Sequence, residues 1–276
     1  MVGQKGDLTI KFFSKNFNSK QKGASVTRRL PLSHKGDTMP KKNRKQLRQE
    51  KNNNQQQQRT FELRKVSPLT INQQKTFDAY HRDMNLMLHG YAGTGKSYIS
   101  LYLALNQVLT EQSYYDKVIV VRSVVPSRDI GFLPGSIKDK IKVYEEPYKE
   151  ICDDLFGRGD GYDILKMKNM IHFTTTSFLR GLTFNNAIVV VDELQNMTFG
   201  ELDTVMTRLG DRSRIIFCGD FRQTDLTHER DKSGLLDFIN ITKRMNRFEY
   251  IEFEKQDIVR SGLVKDYIIK RTELGI

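Results

Sequence analysis

The sequence predicts an α/β fold, a mostly parallel sheet sandwiched by helices, preceded by a basic tail that stays disordered. Three observations carry that expectation. After residue 60, short apolar runs alternate with helical patterns, the signature of parallel strands joined by crossover helices. Four of the runs lack polar alternation, as strands covered on both faces do: Leu86-Met87-Leu88-His89, Val118-Ile119-Val120-Val121, Ala187-Ile188-Val189-Val190-Val191 and Ile215-Ile216-Phe217-Cys218. A glycine-rich turn joins the first run to a helical pattern over residues 98–109.

The tail comes first in the chain. Its 60 residues hold 15 Lys and Arg against 3 Asp and Glu, the whole of the net charge of +12, while residues 61–276 hold 30 of each. A chain of 276 residues suits one sizeable domain plus such a tail, so the division is 1–60 and 61–276. Asn52 to Asn54 and Gln55 to Gln58 form a polar tract with too little apolar content to offset the entropy of ordering. A basic tail gains affinity for phosphates by releasing counterions, which makes single-stranded RNA or DNA a candidate partner. The alternative is a tail that only solubilises. Met39, ahead of Pro40-Lys41-Lys42, is an alternative start.

No apolar run approaches the roughly 20 residues that cross a bilayer, and the N-terminus lacks a signal-peptide core. A cytoplasmic protein with no membrane partner is expected. Cys152 and Cys218 are far apart and without metal-ligand spacing, so neither a disulfide framework nor a zinc site is expected. Cys218 ends an apolar run and reads as a buried strand residue.

A fifth run, Tyr250-Ile251-Glu252-Phe253, alternates and reads as an edge strand. Gly90, Arg122 and Asp192 each follow an apolar run directly, and Asp220 follows one after a single glycine; in open α/β sheets ligands bind at that edge. Residues 123–170 carry Gly131, Pro134, Gly135, Pro147, Gly157, Gly159 and Gly161. They read as an insertion or subdomain over the sheet edge.

The strongest motif is Gly90-Tyr91-Ala92-Gly93-Thr94-Gly95-Lys96-Ser97, which fits G-x-x-x-x-G-K-[ST] between a strand and a helix. In such a P-loop the glycines let backbone N–H groups face phosphate oxygens, and the helix N-terminus adds positive potential. Lys96 is then expected to reach the β- and γ-phosphates of ATP, and Ser97 to ligate Mg²⁺. About a hundred residues on, the run ending Val191-Asp192-Glu193 delivers two adjacent carboxylates to the same edge. Asp192 is expected to hold Mg²⁺ and Glu193 to polarise the attacking water.

Three further residues complete the expected site. Gln223, in Cys218-Gly219-Asp220-Phe221-Arg222-Gln223, follows the fourth run and is a candidate contact for the γ-phosphate or the water; the alternative is a turn closed by Asp220. Gln73, some twenty residues before the P-loop, carries an amide able to pair with adenine. Arg260, in Gln256-Asp257-Ile258-Val259-Arg260, is a candidate to stabilise the transferring phosphoryl group, with Arg122, Arg180 and Arg208 as competitors.

Residues 70–270 resemble the PhoH-like family of P-loop ATPases, relatives of superfamily 1 helicases common in bacteria and their phages. The resemblance is carried by GYAGTGKS, GFLPGSI at 131–137, SFLRGLTF at 177–184, VVVDELQNMT, MTRLG at 206–210, GDFRQTDL and DIVRSGLV at 257–264. It implies an ATP-binding RecA-like domain, a homo-oligomer in the form of a ring such as a hexamer, and, in some members, ATP-driven unwinding of RNA or DNA. Leu182 stands where the family usually has a second arginine, Ser127 to Ile130 replace an acidic pair, and Ser261-Gly262 replace a histidine after Arg260.

The resulting expectation is an Mg²⁺-dependent ATPase coupled to single-stranded nucleic acid. Two other readings stand beside it, a P-loop kinase acting on a nucleoside or metabolite and a nucleotide-dependent interaction switch. Two distant cysteines cannot build the zinc-bound lid that many such kinases carry.

Overall fold

The computed structural model describes residues 61–123, 137–221 and 229–274. The expected tail, the alternative start at Met39, the GFLPG segment and Gln223 lie outside the described residues.

Among the described residues there are six strands and seven α-helices. In chain order they are α1 (Ile71–His81), β1 (Asn85–Gly90), α2 (Lys96–Val108), β2 (Lys117–Arg122), α3 (Ile137–Phe156), α4 (Gly161–Met167), β3 (Ile171–Thr175), β4 (Ala187–Asp192), α5 (Phe199–Thr207), β5 (Arg214–Gly219), α6 (Glu229–Lys243), β6 (Phe248–Phe253) and α7 (Gly262–Glu273). The sheet order is β3-β2-β4-β5-β1-β6, and every pairing is parallel.

The absence of polar alternation in the central strands has a direct cause. Side chains of a strand point to opposite faces with a period of two, and here both faces are covered. Leu86, Leu88, Val118, Val120, Ile188, Val190, Ile216 and Cys218 enter one apolar layer with α2 and α3. Met87, Ile119, Val121, Val189, Val191, Ile215 and Phe217 enter the other, with α5 and α6. All of β4 and β5 is buried, so each position must be apolar or bonded.

Neither edge strand is an unbroken apolar run. The run at Tyr250 extends to Phe248–Phe253 and is the edge strand β6, paired with β1. The other edge, β3, pairs with β2 and has the sequence Ile-His-Phe-Thr-Thr, too few apolar residues for its run to stand out. Before it, the segment read as an insertion holds α3 and α4. The 20-residue α3 continues through Pro147, which removes one i→i−4 bond. Its buried stripe, Tyr148, Cys152 and Leu155, keeps the i, i+4, i+7 spacing of a core-facing helix and outweighs that loss.

Helix starts follow local chemistry. Thr70 caps α1 by accepting from the Gln73 N–H at 3.3 Å, and Thr198 with Glu201 forms a capping box on α5. By contrast α2 follows Gly95, at φ +83°, with no side-chain cap, so the first N–H groups of α2 are left to the P-loop. No helix among the described residues is long and apolar enough to cross a membrane.

Candidate active site

The strand order sets the site. Strand β5 lies between β1 and β4, which puts the ends carrying the P-loop, Asp220 and Asp192 side by side on the edge where ligands of open α/β sheets bind.

The P-loop is held by the end of β6 and the segment after it. A Cβ at Gly90, where φ is +119°, would lie 2.1 Å from the Phe253 carbonyl oxygen, so only glycine fits. Tyr91 N–H donates to that same oxygen at 3.0 Å, and Val259 N–H donates to the Gly93 carbonyl at 3.0 Å. Gln73 supports the loop from the other side. Its amide nitrogen donates to the Thr94 carbonyl at 3.0 Å, and its oxygen accepts from the Leu69 N–H at 2.7 Å.

Lys96 is nine-tenths buried and its Nζ donates to the carbonyls of Gly90 at 2.9 Å and Tyr91 at 2.7 Å. Burial lowers its pKa, against the charges of Asp220, Asp192 and Glu193. Asp192 is bonded on both oxygens: the Ser97 hydroxyl donates to Oδ1 at 2.8 Å, and the Tyr148 hydroxyl to Oδ2 at 2.9 Å. Burial first, and then the Asp192 charge, raises the Tyr148 phenol well above its ordinary value.

Glu193 sits in the left-handed backbone region, φ 54° and ψ 41°, which a non-glycine residue seldom occupies and which clusters at functional sites. Burial, followed by the neighbouring Asp192, raises its carboxyl pKa, while the Gln195 hydrogen bond and the Arg122 and Lys96 charges oppose the rise. Gln195 donates to Glu193 Oε2 and accepts from the Asp220 N–H at 3.0 Å. Arg122 is registered beside Asp192 across β2 and β4 and stacks over Tyr144 at 5.5 Å.

These groups meet in a cleft of about 560 Å³ lined by Lys96, Ser97, Asp192, Glu193, Asp220 and Arg260 among others. Of the expected residues, Ala92 to Ser97, Asp192, Glu193 and Arg260 line it. Gly90 and Tyr91 form the base of the loop, and Gln73 stands behind it. Arg260 packs against the loop, where a Cβ on Gly93 would lie 2.9 Å from its Cγ. Arg122 also lines the cleft, and Arg180 and Arg208 do not. Tyr148 and Gln195 were given no role from sequence. Gln195 could have been found from its place two residues after Glu193, whereas Tyr148 fell in the segment read as an insertion.

The donors fit Mg²⁺ held together with phosphate. Ser97 and Asp192 supply two hard oxygens 2.8 Å apart, and the described residues contain no group of three or more His, Cys, Asp or Glu able to hold a metal. Mg²⁺ is commonly bound in this way, by one or two protein oxygens plus substrate phosphates and water, without a full protein cage.

Comparison with known proteins places the chain. The family described as PhoH-like protein matches residues 65–271. The PhoH-like protein of Mycobacterium leprae is 32% identical over 206 residues, covering 74% of this chain and 57% of that protein. That of Bacillus subtilis is 32% identical over 200 residues, 72% of this chain and 61% of that protein. Protein PhoH of Escherichia coli K12 is 33% identical over 176 residues, 63% of this chain and 49% of that protein. This chain thus spans between about half and three-fifths of the length of these relatives.

Among solved structures, unliganded Pif1 from a Bacteroides species aligns at 18% identity and TM-score 0.35 over 76% of this chain and 48% of that one. The Hef helicase domain of Pyrococcus furiosus aligns at 10% identity and TM-score 0.39 over 67% of this chain and 39% of that one. Matched from residue 65 to residue 271, with its P-loop and paired carboxylates at one sheet edge, the chain belongs to the PhoH-like protein family.

Proposed function

We propose that this protein is an Mg²⁺-dependent ATPase whose turnover is coupled to single-stranded RNA or DNA. The observation that carries the reading is the contact of Ser97 with Asp192 at 2.8 Å, with Glu193 as the next residue, directly above a P-loop whose lysine is buried among oxygens. In this reading the N–H groups of the loop and the Lys96 ammonium bind the β- and γ-phosphates of ATP. Ser97 and Asp192 would hold the cation, which when bound would neutralise charge on those phosphates. Glu193, its carboxyl pKa raised by burial, accepts a proton from the attacking water. The products are ADP and inorganic phosphate.

Arg260 at the mouth and Gln223 serve the same chemistry as stabiliser and γ-phosphate contact. Gln73, the residue expected to read the adenine, is 3% exposed and its amide is bonded at both ends to backbone, to the Thr94 carbonyl and the Leu69 N–H, so in this reading it braces the loop and does not contact the base. Coupling to nucleic acid is supported by the 15 basic residues of the tail. Assembly into a homo-oligomer is supported by α7, which buries none of its residues and exposes Leu263 and Tyr267. A cytoplasmic location belongs to the same reading.

Steady-state release of inorganic phosphate from ATP, measured with Mg²⁺ at low salt, tests the proposal. Release that rises on adding single-stranded RNA or DNA and falls back with salt is the expected result. No phosphate release, or release indifferent to every nucleic acid added, contradicts the corresponding half.

A further inference from the structure

Tyr148 reaches into the site from α3, which lies in the segment that reads in the sequence as an insertion or subdomain over the sheet edge. It is 1% exposed, and its ring packs against Phe173 at 5.5 Å in a layer that includes Cys152 and Leu155. A phenylalanine would satisfy that packing. The hydroxyl is spent on Asp192 Oδ2, 2.9 Å away, while Ser97 of α2 bonds Oδ1 at 2.8 Å.

Two hydroxyls from two helices thereby fix one carboxylate. The terminal torsion of an aspartate is broad and roughly two-fold, so a single donor leaves the group free to turn. Ser97 is moreover the residue that has to give its oxygen to the cation. Tyr148 is different: it approaches the oxygen away from Ser97, and α3 also lines the cleft with Pro147, Ile151 and Asp154. Groups that orient a metal-binding side chain from outside are worth about 10- to 100-fold in metal affinity.

We propose that Tyr148 is a positioning residue for the cation-binding carboxylate, holding Asp192 by Oδ2 so that Oδ1 is presented beside Ser97. The inference rests on the reading of this cleft as the MgATP site. It assigns α3 a role in the chemistry, as the element that sets the orientation of Asp192.

The test is binding of a fluorescent ATP analogue to the full chain, titrated with Mg²⁺, in the parent protein and in Tyr148→Phe. The expected result is unchanged analogue affinity in EDTA, with the Mg²⁺ concentration for half-maximal enhancement raised about 10-fold or more. Tyr148→Met, which removes the same hydroxyl but fills the core differently, gives the same shift and serves if the Phe variant does not fold. An unchanged Mg²⁺ requirement in a folded variant overturns the inference. So does an equal loss of affinity with and without Mg²⁺, which marks a structural role only. A parent protein whose analogue binding ignores Mg²⁺ overturns the MgATP reading itself, a result distinguishable from the other two.

Discussion

The side-chain oxygen of Gln195 accepts the backbone N–H of Asp220 at 3.0 Å, fastening the turn after β4 to the end of β5. The same amide donates to Glu193, whose backbone is in the left-handed region. Gln195 therefore sets where the Glu193 carboxylate points. Replacing it with alanine is expected to lower kcat for ATP about 10- to 100-fold with little change in KM, since positioning errors of this kind act on the chemical step. Steady-state kinetics over a range of ATP concentrations measures the split.

Gly90 and Phe253 meet too closely for any side chain at position 90. A Cβ there would lie 2.1 Å from a backbone oxygen, at φ +119°. Gly90→Ala is expected to cost about 3 kcal/mol or more and to lower Tm by roughly 6–12 °C for a domain of this size. Thermal unfolding followed by circular dichroism checks it.

Glu201 is the other joint of the sheet edge. Its Oε1 accepts from the Ser123 hydroxyl at 2.8 Å and from Thr176, and its Oε2 accepts from the Thr198 N–H at 2.9 Å. The ends of β2 and β3 are thereby tied to the start of α5. Glu201→Ala leaves those donors without their acceptor and is expected to cost about 2 kcal/mol or more, with Glu201→Gln milder. Denaturant unfolding of both variants provides the comparison.

Much of this was legible in the sequence, for identifiable reasons. Strands β1, β2, β4 and β5 are covered on both faces, so Val189-Val190-Val191 and Ile215-Ile216-Phe217 stand out as unbroken apolar runs. The P-loop stands out because its glycines answer to backbone geometry, as at Gly90. What stayed hidden lies where one residue masks a pattern. Pro147 made α3 look broken, although Tyr148, Cys152 and Leu155 keep helical spacing. Strand β3 is an edge with three of its five positions polar. Tyr148 acts by pointing at Asp192, 44 residues further along the chain, and a contact between such distant positions has no signature in spacing alone.

Both cysteines are buried and free. Burial pushes the Cys152 thiol up to about 12 and raises that of Cys218 as well, so neither forms thiolate at neutral pH, and the thiolate is the reactive form. The native protein is expected to react with a thiol reagent at least about 10²-fold more slowly than the unfolded protein. Timed labelling with and without denaturant checks this, and prompt labelling of the native form would show that α3 or β5 opens readily.

The proposed role of Lys96 in holding a triphosphate is best tested by its removal. ATP binding and phosphate release with Mg²⁺ should be measured for Lys96→Ala beside the parent protein, with circular dichroism to establish that both are folded. The expected result is a fall in turnover of about 10²-fold or more together with weakened ATP binding. A folded Lys96→Ala protein that binds and hydrolyses ATP as the parent does would mean that this loop is not where the triphosphate is held.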